Sequence, residues 1–122
     1  MQYAISFDAS RRLLTITVQG AVDLASCEQV MPEVAARFAA HRFPPVLVDS
    51  REAVPELTPT DVYRLGSEIF EVGLGRLSRF AVVTVPRGDF DRAAFLEHMA
   101  GNRGLQVQAF RDPDEALRWV LG

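Results

Sequence analysis

The sequence predicts an α/β domain. It should hold a mixed sheet of about five strands and about four helices, in the order β-β-α-β-α-β-α-β-α. Three observations carry this. Two segments near the start of the chain alternate between large apolar residues and small or polar ones, the pattern of strands with one buried face. Two later runs, Val46-Leu47-Val48 and Phe80-Ala81-Val82-Val83-Thr84-Val85, are apolar on consecutive positions, as expected of parallel central strands covered on both faces. Between and after them lie segments of helical period with recognisable starts and stops.

The elements follow in order. Tyr3, Ile5 and Phe7 alternate with Ala4, Ser6 and Asp8, and Leu14, Ile16 and Val18 alternate with Thr15, Thr17 and Gln19. With the short Asp8-Ala9-Ser10-Arg11 turn between them, they form an antiparallel hairpin closed by Gly20. Asp23 or Ser26 caps a first helix whose apolar stripe is Cys27, Val30, Met31, Val34 and Phe38, at i, i+3, i+4 spacing. Pro32 falls inside that stripe and predicts a kink or an irregular first turn. Val46–Val48 ends at Asp49, and a loop is expected to lead to a helix over Thr58–Val72. Its core stripe is Val62, Leu65, Ile69 and Val72, and Gly73 or Gly75 ends it. A third helix is expected from about Asp89 to Asn102, with Phe95, Leu96 and Met99 facing inward and Gly104 as its stop. Leu105–Phe110 alternates and reads as an edge strand. Asp112-Pro113-Asp114-Glu115 announces a last helix with a cap, a first-position proline and acids in the first turn; Leu117, Val120 and Leu121 would bury it. Parallel strands joined by helices must cross over right-handed.

At 122 residues the chain is expected to be one domain, residues 1–122, with a core of its own. Charged residues make up 24% and hydrophobic ones 48%, a globular and not a disordered balance. The net charge is −3, and no run of cations is present to neutralise phosphates, so nucleic acid is not the expected partner. All thirteen basic residues are arginine, a coding bias that points to a bacterium. A single cysteine, Cys27, allows no internal disulfide. With no apolar leader pattern and no run long enough to span a bilayer, a cytoplasmic location is expected.

The Val-Leu-Val-Asp strand at 46–49, the Arg-Phe-Ala-Val-Val strand at 79–83 and the ending over 107–120 resemble the STAS fold of bacterial anti-sigma-factor antagonists. The closest likeness is to its small stand-alone proteins described as sporulation stage II AA-like, or STAS/lipid-transfer-like. The resemblance covers nearly the whole chain and implies a STAS-like fold. It also implies a non-enzymatic protein-interaction or regulatory role, with a kinase-like protein or a sigma-factor regulator as partner and no cofactor. In antagonists of that family a serine at the start of the second helix is phosphorylated, within Asp-Ser-Ser-Gly, about nine residues after the strand-end Asp. Counting from Asp49 reaches Thr58, which the resemblance therefore implies as a phosphoacceptor. The segment here reads Leu57-Thr58-Pro59-Thr60 and keeps only the hydroxyl. Thr58, Pro59 and Asp61 also make a helix-start signature in their own right, and both readings stand at this point.

Other candidates sit nearby. Asp49, Ser50 and Arg51 read either as ligand contacts or as a loop cap with its ion partner. Tyr63, Gly66, Phe70 and Leu74 form a second stripe on the second helix. Either neighbouring helices cover it, or it is a partner surface that Thr60, Tyr63 and Phe70 help to form. His41 and His98 are isolated, and no metal site is expected. Cys27 lies on a core stripe and reads as a buried thiol. The lipid-transfer part of the resemblance implies an alternative function, a small apolar, lipid-like ligand between helices and sheet. The 105–110 edge strand is a candidate contact for a homodimer.

Overall fold

The computed structural model describes residues 1–85, 87 and 90–122. The strands are β1 (Gln2–Asp8), β2 (Leu13–Val22), β3 (Val46–Pro55), β4 (Phe80–Val83) and β5 (Val107–Phe110). The helices are α1 (Leu24–Ala40), α2 (Pro59–Val72), α3 (Arg92–Asn102) and α4 (Pro113–Leu121). The five strands form one sheet in the order β1-β2-β3-β4-β5. The β1–β2 hairpin is antiparallel and the remaining pairs are parallel, as the alternation and the double-sided apolar runs predict.

Two apolar clusters explain the order. One joins Leu14, Ile16, Val46, Phe80 and Val107 of the sheet to Val34 and Phe38 of α1, Phe70 of α2 and Ala100 of α3. The other joins Leu13, Leu47, Ala81 and Val83 to Ala116 and Val120 of α4. Successive residues of a strand point to opposite faces. Val46 therefore packs under α1–α3 and Leu47 under α4. Leu121 is exposed, so α4 is held by Ala116 and Val120.

Several boundaries differ from expectation: β4 ends at Val83 and β5 begins only at Val107, whereas α1 has the expected Asp23 cap. β3 does not end at Asp49. It continues to Pro55, because the far end of β2 pairs with it from Gln19↔Glu52 to Val22↔Pro55. The register slips between Thr17 and Gln19, so Ser50 and Arg51 of β3 stand opposite Val18 alone, a bulge that bends the strand. β4 pairs with β3 only as far as Asp49↔Val83 and β1 with β2 only as far as Gln2↔Gln19, which leaves the Gly20–Val22 and Ala53–Pro55 ends of β2 and β3 as a two-stranded arm beyond the sheet. α1 starts at Leu24 with Asp23 as its cap, and Pro32 lies well inside it. The helix is continuous there, although the proline cannot donate to the Glu28 carbonyl. α3 is capped by Asp91; Asp89 lies outside the described residues.

The two sheet edges are β1 and β5. On β5 the Ala109 N–H donates to Glu97 Oε2 of α3 at 2.6 Å, so part of that edge is already occupied. No helix among the described residues is long and apolar enough to cross a membrane.

Candidate functional site

The candidate site lies where the carboxyl ends of β3 and β4 meet the starts of α2 and α3. Thr58 has extended backbone angles and its Oγ1 accepts from the Asp61 N–H at 3.1 Å, while Asp61 Oδ2 accepts from the Thr58 N–H at 3.0 Å. This reciprocal pair satisfies two amides that the helix itself cannot, with Pro59 at the first position, where a missing N–H costs nothing. Thr58 is therefore the cap of α2. Its hydroxyl, like Thr60, faces solvent.

Asp49, Ser50 and Arg51 do not act as one set, because alternation along β3 divides them. Arg51 donates from Nε to Asp49 Oδ1 at 3.0 Å and from Nη2 to Asp49 Oδ2 at 2.8 Å, a fork-to-fork pair. Ser50 turns to the face under α2 and α3, and its Oγ donates to the Val83 carbonyl at 2.9 Å. The hydrogen bonds from Arg51 hold the Asp49 carboxyl below the ordinary carboxylate range, against an opposing effect of partial burial. Because the folded value is depressed, the stabilisation is complete above the unfolded pKa and is lost as the pH falls through the folded one. Asp49→Asn should therefore cost about 0.5–1 kcal/mol at neutral pH. In urea titrations the gap from wild type should close as the pH drops below about 4; a gap independent of pH would show that the charge is not what matters.

The second stripe of α2 is not a partner surface as a whole. Phe70 is only 8% exposed and Leu74 is fully buried, which corrects the placing of Phe70 on the surface. The reason is the close approach of α3 at Gly66. A β-carbon there would stand 3.1 Å from both Leu96 and Met99. Tyr63 alone of the stripe is open, at 53%. The Arg103 guanidinium lies over its ring at 5.7 Å and over that of Phe70 at 5.6 Å.

Sequence reasoning did not find two further features. The first is an apolar cavity of about 220 Å³ between α1, α2 and the sheet, lined among others by Cys27, Val30, Met31, Val48, Leu65 and Ile69. α1 reaches the core through Val34 and Phe38, both beyond Pro32, whereas Cys27, Val30 and Met31 before it are only half-buried. The cavity lies under that earlier half of the helix. Burial pushes the Cys27 thiol up to about 11, so it is un-ionised at neutral pH and adds no charge to the lining.

The second feature is Arg92, the first residue of α3. Its Nε donates to the Leu57 carbonyl at 2.9 Å and its Nη1 to the Phe90 carbonyl at 3.2 Å, tying the approach to α2 to the approach to α3. A cation at a helix N-terminus opposes the helix dipole, and that misplacement is the signal in the sequence that could have marked it.

No protein-family model matches the chain, and no curated protein does. Solved structures do. An uncharacterized protein of the DUF3478 family with a SpoIIAA-like fold, from Shewanella loihica PV-4, aligns with a TM-score of 0.64 at 18% identity, over 97% of this chain and 93% of its own. An anti-sigma factor antagonist from Mycobacterium paratuberculosis aligns with a TM-score of 0.63 at 20% identity, over 99% and 96%. The anti-sigma factor antagonist SpoIIAA in its unphosphorylated form aligns with a TM-score of 0.61 at 12% identity, over 99% of each chain. The chain has the SpoIIAA-like, STAS-type α/β fold, with the element order that its sequence predicts.

Proposed function

We propose that this domain is a non-enzymatic protein-interaction and regulatory module that docks a protein partner through the start of α2. The observation that supports it most is the exposed helix start itself, where Thr58, Thr60 and Tyr63 are open to solvent beside the strand ends. The fold is shared over nearly its full length with anti-sigma factor antagonists, which makes a kinase-like protein or a sigma-factor regulator the partner class to test. Phosphate on Thr58 would place about −2 charge next to the Asp61 carboxylate, and the two anions would repel each other across the capping pair. The helix start would then loosen while the docking surface gained negative charge. The test is affinity capture from the bacterial host with wild type, Thr58→Glu and Tyr63→Ala, with mass spectrometry of Thr58. One partner, captured by wild type and lost with both variants, is the expected result. Equal capture by all three proteins would remove docking at α2.

A second reading has its own observation. The cavity under α1 is lined almost wholly by apolar atoms and is partly open to solvent. Apolar cavities of about this size take up small apolar molecules. An apolar ligand held between helices and sheet is the function this supports.

A further inference from the structure

The cavity under α1 has a neighbour. A second, smaller space of about 150 Å³ lies at the carboxyl ends of β3 and β4, lined among others by Ser50, Leu57, Val62, Thr84, Arg92 and Ala93 along with four residues of the first cavity. Those four are Leu65 and Ile69 of α2, Val82 of β4 and Leu96 of α3. The two spaces thus lie on either side of one wall of four aliphatic side chains. Three of these are only half-buried, and aliphatic side chains of that kind change rotamer readily. Each space alone falls below the ~300 Å³ at which ligand sites begin. Joined by movement of these side chains, they would form a narrow channel that suits a chain better than a ring system.

The two ends of this channel differ chemically. The end under α1 is lined almost wholly by apolar atoms, those of Met1 and Tyr3 and the un-ionised Cys27 thiol included. The end at the strand termini carries the Arg92 guanidinium. Two of its nitrogens are engaged by the Leu57 and Phe90 carbonyls, which fix it at the rim. Among the described residues no carboxylate pairs with this guanidinium, and α3 does not favour a cation at its first residue. The carboxylate of its neighbour Asp91 is turned to the Ala94 N–H.

We infer that the channel binds a single-chain anionic amphiphile, an alkyl tail running under α2 into the cavity with a carboxylate held at the rim by Arg92. The inference rests on the apolar-ligand reading and adds the head group and its partner to it. A charge-assisted hydrogen bond at a half-buried guanidinium should favour an acid over the matching alcohol by about tenfold.

The probes are octanoate and 1-octanol, both below the concentration at which they aggregate. They are titrated into the full-length protein by calorimetry and by methyl NMR of Leu65, Ile69 and Leu96. Octanoate is expected to shift these methyls and to bind roughly tenfold more tightly than 1-octanol. Arg92→Gln should bring octanoate down to the affinity of 1-octanol while leaving 1-octanol unchanged, which also shows that the variant retains its cavity. Equal affinity of acid and alcohol, or octanoate binding indifferent to Arg92→Gln, would overturn the head-group assignment and leave an apolar site standing. Absence of methyl shifts with either probe would overturn both.

Discussion

Phe38→Ala is expected to destabilise the protein by about 3–5 kcal/mol, the range for emptying a fully buried aromatic site. Phe38 has no exposed surface. It is the deepest anchor of α1, and its ring meets that of Phe43 edge-on at 5.3 Å. It also lies against the tight turn at Gly73, where a β-carbon would be only 3.6 Å from the ring. Two features make collapse around the lost ring difficult. The earlier half of α1 already spans a cavity, so it has few contacts with which to pull the helix inward. Phe43 has a positive φ of 59°, so the loop that follows α1 is confined to a conformation that non-glycine residues seldom adopt. Such a loss is a large share of a single domain's stability. The urea midpoint should fall steeply with little change in slope. A loss below about 1.5 kcal/mol would mean that α1 is not anchored at Phe38.

Much of the fold is legible because its local signals agree. Val46-Leu47-Val48 is apolar on consecutive positions, and α1–α3 and α4 do lie on opposite faces of it. Asp112 accepts from the Asp114 N–H at 3.0 Å, as a cap before Pro113 should. Thr58 and Asp61 form the box that their spacing suggests. The far half of β3 is different. Asp49-Ser50-Arg51-Glu52 is polar and Pro55 follows, which reads as a loop; its strand geometry comes from the partner segment Gln19–Val22 of β2, not from its own composition. The second stripe of α2 is ambiguous for a similar reason. One helix's pattern shows how wide its apolar face is, but not which neighbour covers it, and here α3 does so at Gly66. The cavity is the least legible feature. Cys27, Val30 and Met31 have the spacing of core residues, and a gap beneath them depends on how far the sheet and α2 stand from α1.

Gly75→Ala is the other substitution expected to be severe, at about 2–4 kcal/mol. Two costs combine in it. Gly75 has φ of 79°, where an L side chain carries roughly 1–2 kcal/mol of strain. Its added β-carbon would also lie 2.6 Å from Cγ2 of Val107, an overpacking that typically costs about 1–3 kcal/mol. Val107 is buried at the sheet edge and β-branched, so it has little freedom to turn away. The Gly75 carbonyl also accepts from the Gln106 N–H at 2.7 Å, which ties the turn to β5 and prevents it from backing off. Gly73 provides the comparison. It too has a positive φ, of 105°, and a β-carbon there would lie 2.6 Å from Cδ1 of Leu77. That atom, however, is the tip of a flexible side chain that is 49% exposed and free to move. Gly73→Ala should therefore cost only the backbone strain, about 1–2 kcal/mol. The distinction can be measured with a third variant. Val107→Ala combined with Gly75→Ala should cost less than the sum of the two alone, because removing Cγ2 removes the clash. Equal losses for the two glycine variants, or strict additivity in the double variant, would show that strain alone governs this turn.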